Sequence, residues 1–227
     1  MQVTPLQCLG ISSEHLVSVG KAHKMHPVAR QAFSDMQAAA VKAGIDCQLF
    51  SSFRDFDKQC SIWDRKWRGE LPLYDINNVR LDPSQLTDTE KLHAILLWSA
   101  LPGASRHHWG TDIDVYDKRR VEADPNPFNL ISDEYQNNGP CAQLSQWLDE
   151  HAESFGFYRP YARFNGGIGA EPWHLSYAPI AKLYEQQLDP RTLLSAITEA
   201  GIQGLGEVRD HFDEIFHRYV LNRGIAQ

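Results

Sequence analysis

The stretch Ser105-Arg106-His107-His108-Trp109-Gly110-Thr111-Asp112-Ile113-Asp114 holds the densest polar chemistry in the chain. Imidazole nitrogens and carboxylate oxygens are the donors of hydrolytic zinc sites, which use about three protein ligands and keep one position open for water. One histidine and one aspartate from this stretch, brought together by a turn at Gly110, would supply two ligands. Spacing alone permits either His107 or His108, and either Asp112 or Asp114. The third ligand must come from elsewhere. His174 in Glu171-Pro172-Trp173-His174 is the natural candidate, because a carboxylate stands three residues before it and can act as base. Zinc lowers the pKa of the water it polarises toward about 7, and Glu171 would take that proton during attack on a carbonyl.

Other chemistries lack their residues. The cysteines (Cys8, Cys47, Cys60, Cys141) are irregularly spaced with no CxxC pair, so a thiolate zinc site or redox motif is not expected and free thiols are. His151-Ala152-Glu153 has the H-x-E form of a deaminase, but no PCxxC follows it. No HExxH, GxSxG or Walker-type loop is present. His23 with His26, and His211 with Glu214 and His217, fall at helical spacing and read as solvated polar faces.

The elements that must position the site follow from hydrophobic period and punctuation. Val28, Ala32, Phe33, Met36, Ala39, Ala40 and Ala43 form a helical stripe ended by Gly44, and residues 45–50 read as a strand leading into Ser51-Ser52-Phe53-Arg54. Trp63 and Trp67 suggest a helix ending before Gly69, and residues 72–83 a long loop. A helix is expected from Thr87 to Ala100, with Thr87 and Glu90 forming a capping box. Residues 111–116 alternate as a strand, and residues 141–155 form an amphipathic helix stopped by Gly156. The Gly-rich turn at 166–169 precedes an extended segment from Ala170 to Tyr177, and the chain from Pro179 onward reads as mostly helical. Strands and helices do not alternate regularly, so the expected class is α+β, with one domain over 1–227, a motif-bearing core over 28–177 and a helical segment over 179–227.

One local conflict has a predictable resolution. Residues three apart in a regular strand face opposite sides, so Glu171 and His174 cannot both address one metal from within a strand. Pro172 lacks the N–H that a central strand uses, and Gly166, Gly167 and Gly169 lie just upstream. The strand is therefore expected to begin only near Trp173.

Three elements, in order, resemble those of the D-Ala-D-Ala carboxypeptidase family, the VanY-like zinc peptidases. Ser105-x-His107-x-x-Gly110-x-x-x-Asp114 resembles its S-x-H-x-x-G-x-x-x-D signature, and Glu171-Pro172-Trp173-His174 its E-P-W-H element. Ser51-Ser52-Phe53-Arg54 with Gln59 resembles its S-x-[YF]-R…Q element. Alone, the His107–Asp114 segment reads equally well as a turn before a polar edge strand; the ordered set lowers that reading sharply. The resemblance implies zinc held by His107, Asp114 and His174, Glu171 as general base, and Arg54 as the cation that stabilises the oxyanion. It further implies that Ser105 and Gln59 contact substrate. Asp112 departs from the pattern, which has a small apolar residue there in many relatives; it could approach the metal or a substrate ammonium. The implied fold is Hedgehog/DD-peptidase-like, with a small, mainly antiparallel sheet flanked by helices.

The function expected from the resemblance is zinc-dependent D-alanyl-D-alanine carboxypeptidase activity on peptidoglycan stem peptides. Rivals are a D-Ala-D-Ala dipeptidase, an L-alanyl-D-glutamate endopeptidase and, from another class, a non-catalytic zinc-containing peptidoglycan-binding module. Pro172 leans toward the carboxypeptidase, since dipeptidase relatives tend to carry an aromatic residue there. Retention of Glu171 and Arg54 argues against a module that does not cut. The net charge of -7 over 227 residues argues against nucleic acid as the main partner. No apolar run reaches the roughly 18 residues needed to span a bilayer. The opening residues lack signal-peptide features, so the expected compartment is cytoplasmic, or periplasmic if a signal was removed. Oligomeric state is open.

Overall fold

Residues 3–225 are described by the computed structural model. Thr4 and Gln7 close a capping box on α1 (Pro5–Cys8), and a hairpin of β1 (Val17–Val19) and β2 (His23–Met25) follows. His26 caps α2 (Pro27–Lys42) by accepting the Val28 N–H. It is fully buried there, so it does not belong to a solvated face. α2 buries Ala29, Phe33, Met36 and Ala40, a stripe at helical spacing, and Gly44, in the left-handed region at φ +78°, turns the chain toward β3 (Cys47–Ser51).

Asp55 caps α3 (Phe56–Trp67). The expected loop over 72–83 instead contains a hairpin, β4 (Leu73–Tyr74) and β5 (Arg80–Leu81). Its turn is held by the Asp75 carboxylate, which accepts the N–H groups of Asn77 and Val79. α4 (Asp88–Leu96) starts at the predicted Thr87–Glu90 capping box but stops short of Ala100. Beyond it come β6 (Asp112–Asp117), α5 (Lys118–Ala123) and α6 (Ala142–His151), which ends in a 3-10 turn rather than running on to residue 155. Then follow β7 (Phe157–Tyr158), β8 (His174–Tyr177), α7 (Ala178–Glu185), α8 (Pro190–Ala200), α9 (Leu205–Asp210) and α10 (Phe212–Ile215). The extended segment foreseen from Ala170 is a strand only from His174.

The central sheet has the order β3-β6-β8-β7 and is antiparallel throughout. Strand alternation gives it two chemically different faces. Ile113, Val115 and Leu175 point to a core shared with Phe33 and Met36 of α2 and Leu144 and Leu148 of α6. Asp112, Asp114, His174 and Ser176 hold the alternate positions, with Asp114 opposite His174 and Asp112 opposite Ser176. A second core packs α3, α4 and the C-terminal helices through Trp63, Leu92, Ile95, Leu193, Ile197 and Ile215. Each such fully buried aliphatic side chain contributes roughly 1.5–3 kcal/mol. The class is α+β, small antiparallel sheets flanked by helices. Among the described residues, no helix is long and apolar enough to cross a membrane.

Candidate metal centre and its cleft

Antiparallel register assembles the centre. Asp114 on β6 and His174 on β8 are cross-strand partners, and Ser51 on β3 flanks Asp114 from the other side. His107 enters from a 3-10 turn, Arg106–Trp109, which ends at Gly110 with φ +69°. A Cβ on Gly110 would lie 2.5 Å from Leu16 Cδ2 and 3.0 Å from the His26 backbone nitrogen, so both conformation and space demand glycine where the turn feeds β6.

Both imidazoles present a nitrogen to one carboxylate. His107 Nε2 lies 3.3 Å from Asp114 Oδ2, and His174 Nδ1 lies 3.1 Å from Asp114 Oδ1. Donor atoms of the three residues all lie within 4.8 Å of one another, and all three residues are buried. Ligands at about 2.1 Å in tetrahedral array stand roughly 3.4 Å apart, so the donor set fits a small divalent metal. Each ring is anchored through its other nitrogen, His107 Nδ1 on the Ser52 carbonyl at 2.8 Å and His174 Nε2 on Asp112 at 3.1 Å. Burial would raise the Asp114 pKa, yet the two imidazoles hold it well below the usual carboxylate range. Burial alone would lower His174, but its hydrogen bonds to Asp112 and Asp114 outweigh that and raise it to about 10. A metal must therefore displace a proton there, so its affinity falls as pH falls.

His108 faces the other way. Its Nδ1 donates to the Arg54 carbonyl at 2.6 Å, and its Nε2 accepts the Gly103 N–H at 3.1 Å. Both nitrogens are committed to backbone, and burial lowers its pKa to about 3. His108→Ala is therefore expected to keep divalent-metal binding while lowering stability by roughly 2–4 kcal/mol, since it strands two buried backbone groups. His107→Ala should do the reverse. Metal titrations run beside denaturant melts separate the two, and metal loss in the His108 variant would overturn the register.

Glu171 lies outside the strand pairing. The His174 N–H donates to the Glu171 carbonyl at 3.2 Å, a turn that brings Glu171 Oε2 to 3.5 Å from His174 Nδ1. The opposite-face conflict of a regular strand does not arise. Burial pushes the Glu171 carboxyl up to about 7, with His174 and Arg54 opposing. Arg54, Ser105 and Glu171 line the same cleft of about 360 Å³ as His107, Asp114 and His174. Gln59 does not: it is fully buried, its Oε1 accepts from Arg54 Nη1 at 2.9 Å, and its Nε2 donates to the Ala100 carbonyl. A direct substrate contact does not fit that placement, whereas orienting Arg54 does.

A family model described as VanY, D-alanyl-D-alanine carboxypeptidase, matches residues 22–180. The chain belongs to the VanY family. A protein of Haemophilus influenzae is 35% identical over 123 residues, covering 53% of this chain and 93% of its own length. A D-alanyl-D-alanine carboxypeptidase of Enterococcus faecalis is 26% identical over 160 residues, covering 68% of this chain and 49% of its own. Among solved structures, a D,D-pentapeptidase VanY variant from a VanB-type resistance cassette, in complex with Zn(II), has a TM-score of 0.51 at 25% identity, over 79% of this chain and 88% of that one. VanYB in complex with D-alanine-D-alanine shares the fold, with a TM-score of 0.53 at 22% identity, covering 82% of this chain and 90% of that one.

Two features of this VanY-family peptidase escape motif reading. Asp112, fully buried, uses both oxygens: Oδ1 accepts from Arg106 Nε at 2.7 Å and from His174, and Oδ2 accepts from the hydroxyls of Thr111 and Ser176. It is absent from the cleft wall, so the expected approach to a metal or a substrate ammonium is not available to it. Lys66 does line the cleft, near Arg54 and Glu171, and has no ion-pair partner among the described residues. Burial lowers its pKa to about 8, so it remains mostly charged at neutral pH. Seven residues after Gln59, it shares that residue's face of α3, a helical-period signal that sequence reading left unused.

Proposed function

We propose that this peptidoglycan peptidase is a zinc-dependent D-alanyl-D-alanine carboxypeptidase that removes the terminal D-alanine of a stem peptide. His107, Asp114 and His174 would hold the zinc, which when bound supplies the Lewis acidity that polarises the scissile carbonyl and acidifies water. Glu171 takes the proton from the attacking water and returns it to the leaving amine. Arg54, held by Gln59, faces the developing negative charge on the carbonyl oxygen. The Ser105 side chain borders the same space and offers a hydroxyl to the peptide.

The charge inventory of the cleft carries the choice among the peptidases. Among the described residues lining it, the only carboxylates are Asp114 and Glu171, both needed for chemistry. None remains for the free ammonium of a dipeptide substrate. Lys66 is an unpaired, partly desolvated cation beside the base, suited to a free terminal carboxylate that an endopeptidase substrate lacks. Phe50, Tyr74, Trp98 and Phe128 extend the cleft wall beyond the polar centre, giving apolar surface to a longer peptide.

The test is hydrolysis by the zinc-loaded protein of a pentapeptide ending in D-Ala-D-Ala, its C-terminal amide, the tetrapeptide and free D-Ala-D-Ala. Release of D-alanine from the pentapeptide, stopped by chelator and restored by zinc, is expected; faster cleavage of the free dipeptide would overturn the reading. Lys66→Met should raise KM for the free-acid pentapeptide by roughly 10–100-fold, the worth of one charge-assisted hydrogen bond, and leave the amide nearly unaffected. In the unsubstituted enzyme, deprotonation of Lys66 removes the cation, so KM should rise as pH climbs through about 8. An equal KM penalty on acid and amide would remove Lys66 from carboxylate recognition.

A further inference from the structure

We infer that Asp112 is a positioning residue that fixes the tautomer of His174, so that Nδ1 alone faces the metal. The inference rests on reading His107, Asp114 and His174 as the zinc ligands. The two histidines offer opposite nitrogens. His107 presents Nε2 because its Nδ1–H is held by the Ser52 carbonyl, and His174 presents Nδ1 because its Nε2–H is held by Asp112. A carboxylate is the stronger of these two anchors: it accepts a charge-assisted bond and makes the opposite ring nitrogen a better donor to a cation.

Asp112 is itself held rigidly, Oδ1 accepting from Arg106 Nε and Oδ2 from the Thr111 and Ser176 hydroxyls. Its position opposite Ser176 on the paired strands sets it diagonal to His174 on one sheet face. Arg106 reaches on to Glu185 at the end of α7, with Nη1 2.5 Å from its carboxylate, and lies over the Trp109 ring. The result is a chain Glu185–Arg106–Asp112–His174 running from a surface helix to the ligand.

Imidazole nitrogen NMR of the cadmium-substituted protein provides a test that needs no variant, because scalar coupling to the metal identifies each ligating nitrogen. Coupling through Nδ1 of His174 and Nε2 of His107 is expected; coupling through Nε2 of His174 would overturn the inference. Chelator competition then measures zinc affinity in two variants. Asp112→Ala should weaken zinc about 10–100-fold, and Asp112→Asn, which keeps an acceptor oxygen, should recover most of that loss. Circular dichroism of each variant separates misfolding from lost positioning. If the alanine variant does not fold, the asparagine variant and the wild-type spectrum still decide. A folded alanine variant with wild-type zinc affinity would overturn the inference. Failure of the unsubstituted protein to bind zinc at all would instead overturn the reading on which it rests.

Discussion

Glu171→Gln is expected to leave fold and zinc content unchanged and to lower kcat by about a hundred- to ten-thousand-fold, the range for loss of a positioned general base. The substitution is nearly isosteric and keeps an oxygen where the turn with His174 places one, 3.5 Å from the ring nitrogen. What it removes is a carboxylate that can take a proton. The sign of the pH dependence follows: the base acts as the anion, so activity falls as pH drops through the Glu171 pKa. Burial raises that pKa to about 7 without a metal, and a nearby divalent cation favours the anion, so the acid limb of the kcat/KM profile should lie below 7 in the zinc enzyme. Zinc content measured beside turnover decides the role. Metal lost together with activity would make Glu171 a ligand, and activity retained would remove it from the chemistry.

Arg54→Ala is the second large effect, a fall in kcat of about 10²–10³-fold with zinc affinity little changed. Arg54 lines the cleft with Glu171, and its guanidinium is fixed by Gln59, which is anchored in turn on the Ala100 carbonyl. A fixed cation stabilises developing charge without reorganising during the reaction, which is why its effect belongs in kcat. Gln59→Ala should give a smaller fall of the same kind, because Arg54 survives but loses its orientation. Near-normal kcat in Arg54→Ala would make the residue structural.

Much of the site was legible because its signals are local. The alternation of residues 111–116 placed Asp114 opposite the apolar face of its strand, and the capping box at Thr87 and Glu90 located a helix start to the residue. Pro172 announced that Glu171 would stand outside the ladder, since a residue without an N–H cannot serve a central strand. The family resemblance, not the spacing, separated His107 from His108.

The tertiary structure decided what depends on partners far along the chain. His107 and His108 are neighbours on one tight turn, and their different fates are set by acceptors more than fifty residues away, the carbonyls of Ser52 and Arg54. The resemblance implied a substrate contact for Gln59, and packing buries it behind Arg54 instead. Asp112 was as available as Asp114 from sequence, and it became an anchor because Arg106, itself tied to Glu185 79 positions later, and His174 share its Oδ1 while the hydroxyls of Thr111 and Ser176 hold its Oδ2. Residue type and period determine which donors and acceptors a segment offers to each face. Which of them meet is set by strand register and helix packing, because a buried polar group must find its partner wherever the folded chain brings one within about 3 Å.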